Sequence, residues 1–168
     1  MPEYSRYPVL NLGAEYLAMG LLMRRNILAY KAPPNNEGYD IICIHPNPRK
    51  SVRQVRVQVK SRIATDSDRG VLVKPKTIDA FDYLIVVYLN VGYFLRMAKT
   101  HSLREGERDP QVLAIPATIA RHYFAPNTKW GKMRFSGLDT SPYEGSAGIE
   151  LIAKDLGIPY PAKATRGA

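Results

Sequence analysis

The chain has 168 residues, a formal charge of +9, a pI near 9.7, and a composition that is 45% hydrophobic and 23% charged. That length suits one domain with a buried core, and the charge favours a polyanionic partner over mere solubility, nucleic acid well ahead of an acidic membrane surface. The single cysteine, Cys43 in the apolar run I-I-C-I, excludes a disulfide framework or a cysteine zinc cluster and reads as a core thiol in a reducing cytosol.

In chain order, N-L-G-A-E-Y-L-A-M-G-L-L-M-R-R reads as a helix, with Asn11 as its cap, Leu17, Leu21 and Leu22 on its apolar face, and Arg24-Arg25 at its negative end. Glu15 precedes the apolar stretch and the arginines follow it, the wrong order for a secretory signal, so a cytoplasmic location is expected. I-L-A-Y-K is a short strand, and the turn cluster A-P-P-N-N-E-G leads to a second, Y-D-I-I-C-I-H. V-R-Q-V-R-V-Q-V-K-S-R is the third strand, antiparallel to the second if the link is a hairpin. Val55, Val57 and Val59 fall on one face and Gln54, Arg56, Gln58 and Lys60 on the other.

Residues 63–80 read as an exposed loop ending in a short helix near Thr77 to Phe81. F-D-Y-L-I-V-V-Y-L is a continuous apolar strand that should be covered on both faces, yet it is far too short to span a bilayer. V-G-Y-F-L-R-M-A is expected beside it, S-L-R-E-G-E-R-D-P as a surface loop, V-L-A-I-P-A as a further strand and T-I-A-R-H-Y-F as a helical turn. E-G-S-A-G-I-E-L-I-A-K-D-L is a last helix, stopped at Gly157 and Pro159. The expected organisation is one domain over residues 1–156 and a flexible tail over 157–168, without a repeat or second domain. The class is α/β on one mixed sheet.

If the second and third strands pair as a hairpin, Asp40 at the start of one lies beside Gln58 and Lys60 at the end of the other. An oxygen pair from Asp40 and Gln58 suits a hard cation such as Mg²⁺, which takes few protein ligands and keeps several waters. An ammonium beside it would hold or activate a water, or stabilise developing phosphate charge. Glu15 adds a carboxylate if the first helix packs across the site. Taken singly, each has a plainer reading: Asp40 as a turn residue, Gln58 and Lys60 as a solvated strand face, Glu15 as an exposed helix residue. Glu37 is a competing acid in a flexible turn. His45, His101 and His122 show no metal spacing, and there is no G-x-S-x-G elbow, G-x-G-x-x-G fingerprint or phosphate-binding P-loop.

These residues resemble the PD-(D/E)XK nuclease superfamily, whose core is αβββαβ and whose motif is an acid opening the second core strand followed by acid-x-Lys on the third. Asp40 matches the first acid and Lys60 the lysine. Glu15 in G-A-E-Y-L matches a helix glutamate typical of the Holliday-junction resolvase-like branch, and F-D-Y-L-I-V-V the later apolar strand. The resemblance covers residues 11–98. Tyr39 stands for the nominal proline and Gln58 for the second acid; Q-x-K variants are similar to an active branch that includes intron-encoded homing endonucleases.

The resemblance implies a restriction-endonuclease-like core with a mixed central sheet flanked by helices. The activity it implies is that of a divalent-metal-dependent DNA endonuclease hydrolysing phosphodiester bonds. Its metal would be Mg²⁺, or Mn²⁺, held by Asp40, Gln58 and Glu15. Lys60 would act on the water or phosphate, and the chain would assemble as a homodimer or homotetramer. Arg56, Arg62, Lys74, Lys76, Lys129 and Lys132 are the expected DNA contacts, the last two flanking Trp130. The alternative is a nuclease-like nucleic-acid-binding protein that has lost catalysis through the change at Gln58; a protein–protein adaptor with a merely solubilising charge is a third reading.

Overall fold

Small side chains decide how the first helix sits. In α1 (Pro8–Arg24) the buried stripe is Ala14, Ala18 and Leu22, spaced four apart, so the helix lies close against the sheet. The computed structural model describes residues 8–50, 52–63, 69–94, 104–125 and 131–162. The helix begins at Pro8, a residue suited to a first turn that has no use for its amide, so Asn11 lies a turn inside rather than capping. At the other end Asn26 takes φ 65°, and the amides of Asn26 and Ile27 close on the carbonyls of Met23 and Leu22 at 2.9 and 3.1 Å, a left-handed cap.

β1 (Leu28–Lys31), β2 (Ile41–Ile44) and β3 (Gln54–Arg62) form an antiparallel meander in which Ile41 lies opposite Val57 and Ile44 opposite Gln54. β4 (Val71–Leu72) and a 3₁₀ turn (Pro75–Thr77) lead to β5 (Tyr83–Tyr88), which runs parallel to β3 with Gln58 beside Leu84 and Lys60 beside Val86. The short helix expected near Thr77 to Phe81 is thus a single 3₁₀ turn.

β6 (Val91–Phe94) and β7 (Arg104–Glu107) form a separate two-stranded ribbon. Two expectations are corrected here. Val91–Phe94 is not a neighbour of β5, because Asn90 and Gly92, at φ 54° and 117°, turn the chain out of the sheet. The polar R-E-G-E is a strand rather than a loop, since pairing in an exposed ribbon requires no apolar alternation.

β8 (Gln111–Pro116) takes the place beside β5 and runs antiparallel to it, followed by α2 (Ala117–His122), β9 (Phe124–Ala125), β10 (Lys132–Met133) and α3 (Gly145–Asp155). The central sheet has the order β1-β2-β3-β5-β8, and β4, β10 and β9 make a smaller sheet.

All six residues of β5 are buried, as its unbroken apolar run requires. Tyr83, Ile85 and Val87 join α1 and α3 in one core, while Leu84, Val86 and Tyr88 join Val71, Val73, Phe81 and Met133 in a second on the opposite face. Each buried Leu or Ile side chain contributes about 1.5–3 kcal/mol. The segment after α3, expected to be flexible from Gly157, is held at its start: Ile158 is buried, and Arg25 donates to the carbonyls of Ile158 and Pro159 at 3.1 and 3.0 Å while binding Glu150 at 2.7 Å. The rest of that segment, from residue 163, lies outside the described residues. No helix among the described residues is long and apolar enough to cross a membrane.

Candidate active site

β2 begins at Ile41, opposite Val57, so the second half of β3 runs on past the start of β2 while β5 stays paired with it to Arg62. Where the strands part, a cleft of about 330 Å³ opens. Asp40, Gln58, Lys60 and Arg62 line it, with Asn11 and Glu15 of α1 on one side and Val71 and Leu72 of β4 on the other. Four residues singled out by sequence, Glu15, Asp40, Gln58 and Lys60, therefore meet around one opening.

The Asp40 carboxylate is fixed by β3. Its Oδ2 accepts the backbone N–H of Val59 at 2.7 Å and the carboxamide N–H of Gln58, while its own amide donates to the carbonyl of Val57 at 2.8 Å. Gly38, just upstream at φ 107°, packs so tightly on the 3₁₀-turn region that a Cβ would collide with Ala80. An ion pair between Glu37 and Lys76 at 2.7 Å ties the same two segments together. Glu37, the competing acid, is thereby held at the surface and does not line the cleft.

Around Gln58 and Lys60 the polar face of β3 is covered, although Gln54 on the same face is exposed. Gln58 is only 7% exposed, because the second core covers that face, and its neighbour across β5 is Leu84. Burial pushes the proton affinity of Lys60 below the usual lysine value, with the attraction of Asp40 opposing and the charge of Lys74 assisting. A half-buried lysine of lowered proton affinity beside a carboxylate is a functional-site signal that stands on geometry as well as on charge.

Glu15 reaches the cleft from the helix position after the buried Ala14. Its Oε2 is buried without a hydrogen bond and forms an ion pair with Lys31. Asn11, expected as a cap, instead accepts the Ser61 hydroxyl at 2.8 Å, pinning α1 to the end of β3. Sequence reasoning did not single out Lys31 or Ser61; the Glu15–Lys31 pair joins residues far apart in the chain, which no local pattern signals.

The donor set fits a hard cation. Among the described residues no three His, Cys, Asp or Glu gather, but Asp40 Oδ1 and the carbonyl oxygen of Gln58 make no hydrogen bond there, Glu15 Oε2 is held by the Lys31 ammonium, and all three residues line one cleft. Two carboxylates and an amide oxygen, with room for water, match the few ligands that Mg²⁺ takes from a protein.

The expected DNA contacts separate. Arg62 lines the cleft and Lys74 is exposed near Lys60. Lys76 pairs with Glu37, and Lys132 lies on β10 opposite Leu72, one strand behind the cleft wall and not itself part of the lining. Arg56 is drawn inward: its guanidinium grips Asp82 at 3.1 and 3.2 Å while its backbone amide donates to the same carboxylate at 2.8 Å, joining β3 to the approach to β5. Lys129 and Trp130 lie outside the described residues, as does His101. His45 is buried at the end of β2 and accepts the Asn47 amide at 2.9 Å, and His122 is exposed; neither lines the cleft.

No family model matches the chain, and no curated protein matches it. Among solved structures it is similar to a bacterial homing endonuclease, I-Ssp6803I, with a TM-score of 0.53 and 14% sequence identity, over 92% of this chain and 96% of that one. At that identity the likeness is one of fold. The chain has a mixed α/β fold whose mixed central sheet is flanked by helices, consistent with a nuclease-like architecture.

Proposed function

We propose that the chain is a divalent-metal-dependent DNA endonuclease of the PD-(D/E)XK type in which glutamine replaces the second acid. The observation that carries this reading is the meeting of Glu15, Asp40, Gln58 and Lys60 around one cleft where β2 and β3 part. The fold likeness to a homing endonuclease and the charge of +9 support it. Asp40 and Gln58 would hold Mg²⁺ or Mn²⁺ through oxygen, with Glu15 adding the second negative charge. When bound, such an ion lowers the pKa of water and neutralises phosphate oxygens.

The protein's own part is positional. The Val59 amide fixes the Asp40 carboxylate, the second core excludes water behind Gln58, and Lys60 orients the attacking water or stabilises charge on the phosphate. The oxygen of that water bonds to phosphorus as the bond to a deoxyribose oxygen breaks, and the leaving oxygen takes up a proton from solvent water. Arg62 and Lys74 would hold the backbone on either side. One site cuts one strand, so cutting a duplex through requires two copies, most simply a symmetric pair.

Incubation with supercoiled, linear and branched DNA in Mg²⁺, Mn²⁺ or chelator tests this. Metal-dependent nicks that vanish in Lys60→Ala are expected. Salt-sensitive binding without cleavage in any metal would instead favour the non-catalytic binder.

A further inference from the structure

Lys31 is the last residue of β1, opposite Ile41, and the amide of the next residue, Ala32, donates to the carbonyl of Asp40 at 2.8 Å. Its backbone is therefore set one step from the candidate acid. Its side chain passes near the Tyr16 ring, 5.9 Å from the centroid, and pairs with Glu15. That carboxylate is otherwise costly: its Oε2 is buried and has no hydrogen bond, and an unpaired charge there would be strongly unfavourable. The Lys31 side chain, by contrast, is 38% exposed, so its ammonium reaches water. Glu15 and Asp40 also line a second, open groove of about 590 Å³, walled by Lys31 and the loop Ala32, Pro33, Pro34, Asn35 and Asn36. Lys31 stands where this groove meets the candidate active site.

We infer that Lys31 is a built-in counter-cation that holds Glu15 while no divalent ion is bound and, once displaced, serves a nucleic-acid phosphate in the second groove. This rests on the reading that Glu15 and Asp40 share a divalent ion. Lys31 competes with that ion for Glu15, so it weakens ion binding to the free protein. Its release adds a cation for the polyanion, so ion and nucleic acid bind cooperatively, each raising the other's affinity by the same factor. Glu15 and Lys31 thus form a switch between a self-neutralised site and a loaded one.

Two measurements without turnover test it. Calorimetric titration with Ca²⁺ or Mg²⁺ of wild type, Lys31→Met and Lys31→Arg should show Lys31→Met binding the ion on the order of fivefold more tightly, the effect of removing one unit charge near 4 Å in water-like surroundings. Lys31→Arg should stay near wild type. Anisotropy of a labelled duplex across a salt series should show that Ca²⁺ steepens the wild-type dependence by about one phosphate contact more than it does in Lys31→Met. Glu15→Gln, which frees Lys31 permanently, should show the steeper dependence with no ion present. Equal or weaker ion binding by Lys31→Met, the same Ca²⁺ increment in both proteins, or a Glu15→Gln slope no steeper than that of ion-free wild type would each overturn the inference. If wild type takes up no ion at all, the metal-dependent reading falls first and this inference falls with it.

Discussion

Asp40 Oδ2 accepts the backbone amide of Val59 at 2.7 Å, so the acid just before β2 is held by the main chain of β3 rather than by a mobile partner. The same oxygen takes a carboxamide N–H from the buried Gln58. A glutamine at this position can therefore serve twice: it donates to the carboxylate when no ion is present, and its other end offers oxygen to a cation.

Gln58→Glu replaces that donor with a second carboxylate. Without metal, two carboxylates in contact cannot both stay ionised at low cost, and one is driven to take a proton. The variant should lose about 1–3 kcal/mol of stability at neutral pH, the scale for a buried polar group deprived of its partner. Mg²⁺ or Mn²⁺ should restore its melting temperature by more than it shifts wild type, and calorimetry should show tighter ion binding. Gln58→Leu should bind the ion more weakly while folding nearly as well. Equal ion affinity in all three proteins would leave Gln58 as a packing residue.

The strand pattern of β2, β3 and β5 was legible because alternation and apolar runs are local, and the Asp40–Gln58–Lys60 juxtaposition follows once the hairpin is drawn. What was not legible came from distant chain. The plainer alternative of a solvated face at Gln58 and Lys60 stays open in the sequence because the cover of that face, Val71, Val73 and Met133, comes from short segments with weak strand signals. Arg56 looked like a surface cation because Asp82, its partner, lies 26 residues on. Asn11 looked like a cap because its hydroxyl partner, Ser61, is 50 residues away.

Arg56 should therefore behave as a structural residue. Burial alone would raise the Asp82 carboxyl, but the hydrogen bonds and charge of Arg56 outweigh it and hold the carboxyl below its usual value of 3.8. The contribution of such a group is fully present above its unfolded pKa and is lost as pH falls through the lower folded one. Arg56→Ala should cost about 1 kcal/mol at neutral pH, a value reduced by solvent screening of the 42% exposed guanidinium, measured by urea unfolding, and should remove that acid-dependent part. The salt dependence of DNA binding should stay unchanged, whereas Lys74→Ala, at an exposed position by the cleft, should flatten it by about one contact. A flattened slope in Arg56→Ala would return that residue to the DNA-binding surface.

Lys60 offers the opposite linkage. Burial lowers its folded pKa below the ordinary 10.5, more than the Asp40 charge raises it, and Lys74 pushes the same way as burial. The folded protein thus releases this proton more readily than the unfolded chain, so the unfolded state binds more protons between the two values. Stability must then rise with pH from the depressed folded value up to 10.5. Below that window the ammonium is desolvated at a constant cost, and above it both states are neutral. The melting temperature of wild type relative to Lys60→Met should accordingly climb through the window. Lys60→Arg, whose charge persists, should show no such climb. The same titration separates the two roles open to the side chain. Cleavage that rises through the range in which the ion-loaded, folded protein releases this proton, a range the cation moves lower still, marks Lys60 as the group that takes a proton from water. Cleavage that falls over it marks the ammonium as the stabiliser of phosphate charge. A wild-type melting curve parallel to that of Lys60→Met at every pH would mean that burial does not depress this lysine.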